Sequence, residues 1–136
     1  MEIVMQPENS NCCGQACVAS ILGITLEKSI RLFGKRGCTS TKDVVGAFKK
    51  MNVPCAKKLV LLKKGVEKSD VCMVVLHAKG TNHTHWVVFL KATKDNGFNR
   101  DLYIDPAKGI HCGYQYPQVW ETSFLPIDVK IMKGLL

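Results

Sequence analysis

Residues 6–22 read QPENSNCCGQACVASIL, and this stretch passes from a polar segment into an apolar one with the pattern of a buried helix. The change falls at Cys13, so we expect this residue in the first turn of a helix that runs from about Gly14 to Leu22 and ends at Gly23. The first turn of a helix has unpaired backbone N–H groups and the positive end of the helix dipole, and both stabilise a thiolate. The sequence therefore predicts that Cys13 is a reactive thiol.

The residues that could activate this thiol come later, in NHTHWVVF (residues 82–89) and in YIDP (residues 103–106). A cysteine, a histidine and an aspartate can serve as nucleophile, as base and as the residue that orients the base. His85 opens an apolar strand that fixes its position, whereas His83 lies in the preceding loop, and a base must be held within hydrogen-bond reach of its nucleophile. We therefore predict His85 as the base and Asp105 as the orienting residue of a cysteine hydrolase.

Two further residues near the N-terminus belong to the predicted site. The side-chain amide of Gln6 can donate a hydrogen bond to a developing oxyanion. Cys12 is the alternative nucleophile because it directly precedes Cys13, although Gly14 favours Cys13 by letting the backbone approach a substrate carbonyl. The aspartate has a second interpretation on sequence alone, since Asp-Pro is also a common way to begin a turn.

These residues carry a resemblance to the C39 group of papain-like cysteine peptidases. It rests on Gln6, the Cys13-Gly14 pair, His85 and the DPAKG run at residues 105–109, and it spans roughly residues 5–125. Members of that family trim leader peptides from bacteriocins, often as domains of bacterial exporters, and stand-alone relatives exist. The resemblance implies the same roles, with Cys13 as nucleophile, His85 as base and Asp105 as the orienting residue. It also implies Gln6 as the donor to the oxyanion. One departure is that the family usually places its glutamine six positions before the nucleophile, a spacing that here reaches Cys12.

The predicted triad serves more than one reaction. A peptide amine as leaving group makes the protein a thiol protease that acts on a peptide or protein substrate, and this is the favoured interpretation. Ammonia from a glutamine side chain makes it a protein deamidase, and an amine acceptor in place of water makes it an acyl transferase. A catalytically silent peptide-binding module is the non-enzymatic alternative. None of these needs a cofactor.

A zinc site is the competing chemistry for the cysteines and histidines. The chain has no Cys-x-x-Cys pair, which structural zinc sites commonly contain, so we predict no metal. The residues that could have supplied ligands are Cys12, Cys13, Cys17, His83, His85, His111 and Cys112.

Length and composition indicate one domain over residues 1–136, of which 46% are hydrophobic. No apolar run approaches the roughly 20 residues that cross a bilayer, and the N-terminus does not resemble a secretory signal. We therefore expect a cytoplasmic protein, or one delivered by a route other than general secretion. The seven cysteines are an odd number, which favours a reducing compartment and buried thiols at Cys17, Cys38, Cys55 and Cys72.

The formal net charge is +8, which raises the question of nucleic-acid binding. The lysines are scattered in pairs, there are three arginines, and no aromatic stacking platform lies between basic positions. We expect no nucleic-acid partner; an acidic substrate or an anionic surface fits the charge better.

The order of predicted elements indicates an α+β fold. Helices are expected after Cys13, after Thr25 and after Ser40 or Thr41, each with apolar residues at helical spacing. Strands are expected from then on, and the turn KDNG at residues 94–97 predicts a hairpin between the third and fourth. The N-terminal helices should thus pack on a C-terminal antiparallel sheet, as the resemblance to papain-like proteases also implies. The expected strands cover residues 57–62, 71–76, 86–90, 102–104 and 129–132.

Overall fold

The N-terminal part of the chain forms three helices. The computed structural model describes residues 2–111 and 119–131. Within them α1 (Cys13–Leu22), α2 (Leu26–Phe33) and α3 (Thr41–Lys50) lie where the sequence predicts.

Local capping sets the helix boundaries. Gly23 ends α1 in the left-handed conformation (φ +68°), which glycine adopts without strain. Thr25 begins α2, and its hydroxyl accepts a hydrogen bond from the backbone N–H of Lys28 at 3.1 Å. Ser40 and Asp43 begin α3 with reciprocal hydrogen bonds between side chain and backbone, a capping box. These caps fix the residues at which α1 ends and at which α2 and α3 begin.

The rest of the described chain forms one antiparallel sheet of six strands, in the spatial order β1-β6-β2-β3-β4-β5. Three helices followed by an antiparallel sheet make a mixed α+β fold, and this part of the prediction is confirmed. The strands are β1 (Val60–Leu61), β2 (Val71–Ala78), β3 (Thr84–Leu90), β4 (Leu102–Asp105), β5 (Gly109–His111) and β6 (Val119–Pro126).

Three of the predicted strands are present and two differ. The β3–β4 hairpin forms as expected, with Phe89 opposite Tyr103. The strand predicted at 57–62 is reduced to two residues. The strand predicted at 129–132 is wrong, since residues 129–131 form no strand and Met132 lies outside the described residues. The chain instead pairs through β6, which was not predicted because the polar run Glu121–Ser123 interrupts its apolar pattern.

The helices and the sheet enclose the main core. Val18 of α1 and Phe48 of α3 are fully buried against the face of the sheet that carries Val88 and Leu125. The opposite face carries a smaller cluster around Phe89, over whose ring the Lys68 ammonium lies 4.7 Å from the centroid. Helix α1 therefore rests directly on β3, and its first turn lies near the beginning of that strand.

The prediction of four buried thiols is half wrong. Cys17 and Cys72 are buried, whereas Cys55 is half-buried and Cys38 is exposed. Cys38 follows Gly37, whose backbone has φ +92°, in the irregular loop between α2 and α3. A thiol in such a loop has no helical or strand periodicity to bury it.

Candidate active site

Cys13 is the first residue of α1, and Cys12 is its N-cap. The Cys12 side chain makes no capping hydrogen bond, so it does not bind the backbone N–H groups of the first turn. Cys12 is 6% exposed, whereas Cys13 is half-buried and lines a surface cleft of about 120 Å³. Of the two neighbouring thiols, Cys13 is thus the one that a ligand in this cleft can reach.

The backbone of Trp86 fixes the position of α1 along β3. The Cys17 thiol donates a hydrogen bond to the Trp86 carbonyl oxygen at 3.4 Å, and the backbone N–H of Trp86 donates to the Cys13 sulfur. Among the described residues, strand β4 pairs with β3 only from Val88 to Leu90. Helix α1 can therefore contact the part of β3 that precedes Val88. The two cysteines, one helical turn apart, therefore hold the helix start beside His85.

His85 and Asp105 form a short hydrogen bond, with 2.7 Å between Nε2 and Oδ1. The Asp105 carboxyl is buried at the end of β4, and the same Oδ1 accepts the backbone N–H of Ala107 at 2.8 Å. Since Nε2 donates to Asp105, Nδ1 is the nitrogen left to hydrogen bond with the Cys13 thiol. The structure therefore brings the three predicted residues into one hydrogen-bonded chain, in which the imidazole lies between thiol and carboxylate.

The electrostatics of this chain favour a charged pair. Burial alone would raise the pKa of Cys13, but hydrogen bonds from His85 and from the backbone N–H groups of Trp86 and Gly14 outweigh it, and the pKa falls below its ordinary value. Burial opposes the charge on His85 too, yet the hydrogen bonds to Asp105 and Cys13 raise its pKa to about 9. Between these two pKa values the pair exists as thiolate and imidazolium.

Gln6 lines the same cleft. Its backbone N–H donates to the Pro106 carbonyl at 2.8 Å, which ties the N-terminal segment to the turn that follows Asp105. Its side-chain Nε2 donates to the Ser10 carbonyl at 2.9 Å, and the amide carries a second N–H. The predicted oxyanion donor therefore lines the same cleft as Cys13 and is held by hydrogen bonds of both its backbone and its side chain.

Several residues of the cleft were missed by sequence reasoning. Cys38 and Thr39 come from the loop after α2 and form a wall of it, and no motif in the sequence marks them. The second histidine, His83, lines a different cavity of about 280 Å³, to whose lining His85 and Asp105 also belong. The lining of the cleft consists of Gln6, Ser10, Asn11, Cys13, Cys38, Thr39, Thr84, His85 and Trp86.

No protein-family model matches this chain, and no curated protein matches it either. Within residues 2–111 and 119–131, no helix has the length and apolar character needed to span a membrane. The same residues contain no group of three His, Cys, Asp or Glu side chains that could hold a metal ion. Cys112, one of the alternative zinc ligands, lies outside the described residues.

Proposed function

We propose that this protein is a cysteine hydrolase that cleaves an amide bond with Cys13 as nucleophile, His85 as base and Asp105 as the residue that orients the base. The observation that carries the proposal is the continuous hydrogen bonding from the thiol through the imidazole to a buried carboxylate, with 2.7 Å between His85 Nε2 and Asp105 Oδ1. A structural histidine does not need a thiol on one nitrogen and a carboxylate on the other, whereas an activated nucleophile needs both.

Each side chain then has one task in the reaction. His85 Nδ1 takes the proton of Cys13, and the thiolate attacks the amide carbonyl carbon. The backbone N–H of Cys13 and the side-chain amide of Gln6 donate hydrogen bonds to the oxyanion that forms. His85 next gives its proton to the leaving amine, and water, deprotonated by His85, releases the acyl group from sulfur. Asp105 keeps the imidazole oriented and stabilises its positive charge throughout.

A peptidase of the C39-like, papain-like type is the form of this proposal that the sequence resemblance favours. It rests on the order Gln6, Cys13, His85, Asp105 along the chain and on helices that precede an antiparallel sheet. The net charge of +8 favours an acidic peptide or protein as substrate. A deamidase or an acyl transferase with the same triad differs in its leaving group or acceptor, and mass spectrometry of a treated peptide mixture separates the three: cleaved, deamidated and amine-linked products have different masses.

The test is the reactivity of Cys13 toward iodoacetamide from pH 5 to 9, read by peptide mass spectrometry. We expect Cys13 at pH 6 to react on the order of 10–100 times faster than the exposed Cys38, because its hydrogen bonds lower its pKa and so increase its thiolate fraction. In His85→Ala the burial of Cys13 remains while its main stabilising hydrogen bond is lost, so the advantage should disappear.

The matched control is His83→Ala, which removes a histidine two residues away that lines the other cavity. This variant should keep the fast reaction of Cys13. Slow labelling of Cys13 in the wild type, or equal labelling in wild type and His85→Ala, would contradict the hydrolase proposal and leave a binding module.

A further inference from the structure

The loop between α2 and α3 is fastened to the beginning of α1 by a buried glutamine. Gln15 is fully buried, and its Nε2 donates to the carbonyl oxygens of Lys35 at 3.2 Å and Gly37 at 2.9 Å. Two hydrogen bonds from one buried amide hold the loop backbone firmly, because breaking them would leave buried polar groups unpaired. The segment 35–37 is therefore held against the second residue after Cys13.

A second contact holds the loop between α2 and α3 against the first turn of α1. A Cβ placed on Gly14 would stand 2.1 Å from the Thr39 hydroxyl oxygen, so the two segments touch at these residues with no space for a side chain. Cys38 lies between Gly37 and Thr39, both of which are fixed against α1. As a result Cys38 and Cys13 line the same cleft of about 120 Å³.

Of the described cysteines, Cys13 and Cys38 are the two that line this cleft. Cys38 is exposed and Cys13 is half-buried within the cleft. Burial raises the pKa of Cys17 and Cys72, so these two thiols stay protonated and unreactive at neutral pH. Cys55 is half-buried and lines a different cavity, beside Pro54 and Ile127.

We propose that Cys38 is a resolving thiol, which forms a disulfide with Cys13 after a hydroperoxide has oxidised Cys13. The proposal rests on the proposed function only in that both require a reactive Cys13. The disulfide would occupy the cleft and block the nucleophile, and reduction would restore it. It would also protect Cys13 from oxidation to the sulfinic acid, which thiols do not reverse.

The chemistry balances in two steps. The Cys13 thiolate attacks one oxygen of the hydroperoxide; an S–O bond forms, the O–O bond breaks, and the alcohol or water leaves with a proton supplied by the His85 imidazolium. The Cys38 thiol then loses its proton and attacks the Cys13 sulfur, and the S–OH oxygen leaves as water with that proton. Two thiols are oxidised by two electrons in total, and the peroxide is reduced by two.

The reduced 136-residue protein is treated with micromolar hydrogen peroxide, its remaining thiols are blocked, and it is digested with trypsin in the absence of reductant. The expected product links the peptide of residues 1–28 to that of residues 37–42, which contains Cys38 as its sole cysteine. Fragmentation of the linked peptide should place the bond at Cys13. Dithiothreitol should then restore fast iodoacetamide labelling of Cys13 in the wild type, and the restored fraction should be about tenfold smaller in Cys38→Ser because Cys13 proceeds to the sulfinic acid.

Cys55→Ser is the matched control, since it also removes one thiol but not from this cleft, and it should behave as the wild type. A wild type whose Cys13 labels fast yet overoxidises as quickly as in Cys38→Ser, with no linked peptide, would overturn the resolving role and leave the hydrolase standing. A bond from Cys38 to Cys12 or Cys17 would also overturn it. Slow labelling of Cys13 before any peroxide is added would overturn both proposals.

Discussion

At the scale of single residues, burial of the Asp105 carboxylate costs free energy, because a charged group is removed from water. A carboxylate that is 2% exposed must be hydrogen-bonded, and its Oδ1 accepts from both Ala107 and His85. The Ala107 N–H also fixes the direction of the carboxylate, so the imidazole is oriented by a group that is itself held in place. Such a layered arrangement resembles the support that active-site residues commonly receive.

Replacing Asp105 by asparagine should weaken the charged pair without emptying the site. The amide oxygen can still accept the Ala107 N–H, but the negative charge is lost, and Asp105 contributes the largest of the effects that raise the pKa of His85. We expect the pKa of His85 in Asp105→Asn to fall from about 9 toward its ordinary value, measured by NMR titration of the ring protons. Labelling of Cys13 at pH 6 should slow by roughly 10–100-fold because the imidazolium is less stable.

Asp101→Asn provides the comparison, because the Asp101 carboxylate also accepts a backbone N–H, that of Ala92 at 2.8 Å, but is exposed. The NMR titration curve of His85 in Asp101→Asn should match that of His85 in the wild type. An unchanged pKa of His85 in Asp105→Asn would show that the carboxylate does not support the imidazole.

Sequence reasoning identified the three residues of the hydrogen-bonded chain better than it identified the contacts around them. Cys13, His85 and Asp105 could be found because helix start, strand start and turn each leave a local pattern. The Trp86 backbone contacts could not, because hydrogen bonds of the main chain leave no mark on residue identity. Nor could the exposure of Cys38, which depends on how an irregular loop lies against a helix that is distant in the sequence.

At the scale of elements, the contact between α1 and the 35–39 loop depends on the absence of a side chain at Gly14. In the sequence this glycine favoured the thiol beside it as nucleophile; the structure adds that Thr39 occupies the space where a Cβ would lie. The contact and the two hydrogen bonds from Gln15 make the loop and the helix start one unit. A change at this contact should therefore affect stability and the cleft together.

Gly14→Ala should destabilise the protein by about 1–3 kcal/mol, although alanine favours helices, because the added Cβ would stand 2.1 Å from the Thr39 hydroxyl. Gly46→Ala in α3 is the matched control: nothing lies within 4 Å of its Cβ, so it should stabilise by roughly 0.5–1 kcal/mol. Urea denaturation measures both. Thr39→Ala in the Gly14→Ala background should recover part of the loss, and failure to recover any would show that the close contact is not the cause.

The sheet shows why the order of elements was easier to predict than its last strand. Strands β2 and β3 are continuous apolar runs because neighbours cover both their faces, and the sequence shows this directly. Strand β6 lies beside β2, yet it contains Glu121, whose carboxylate pairs with Lys68 at 3.0 Å and accepts the Tyr103 hydroxyl hydrogen. A polar residue satisfied by distant partners interrupts an apolar pattern without interrupting the strand.

At the scale of the whole molecule, the charged pair affects how stability depends on pH. A raised pKa of His85 stabilises the folded state fully below about pH 6.5, and this contribution is lost as the pH rises through about 9. A lowered pKa of Cys13 acts in the opposite sense: its contribution is full above about pH 9 and is lost as the pH falls through the lowered value. Above both pH 6.5 and the lowered pKa of Cys13, and up to about pH 9, the folded pair and the unfolded pair each hold one proton, so the two dependences cancel.

Cys13→Ser should remove this cancellation. His85 keeps Asp105, so its pKa stays above the ordinary value, and in the window above pH 6.5 the folded state holds a proton that the unfolded state lacks. The free energy of unfolding of the variant, measured by urea denaturation, should fall relative to the wild type by up to about 1.4 kcal/mol per pH unit there. The pH dependence of all other groups is common to both proteins and drops out of the difference.

Cys55→Ser tests whether the effect belongs to the pair, because this thiol is half-buried and burial raises its pKa rather than lowering it. Its difference from the wild type should stay flat over the same window. A flat difference for Cys13→Ser as well would mean that the folded protein holds a neutral thiol and a neutral imidazole at neutral pH. In that case the Cys13 proton would have to be removed only when substrate binds, and the iodoacetamide reaction at pH 6 would be slow in the same protein, so the two measurements must agree.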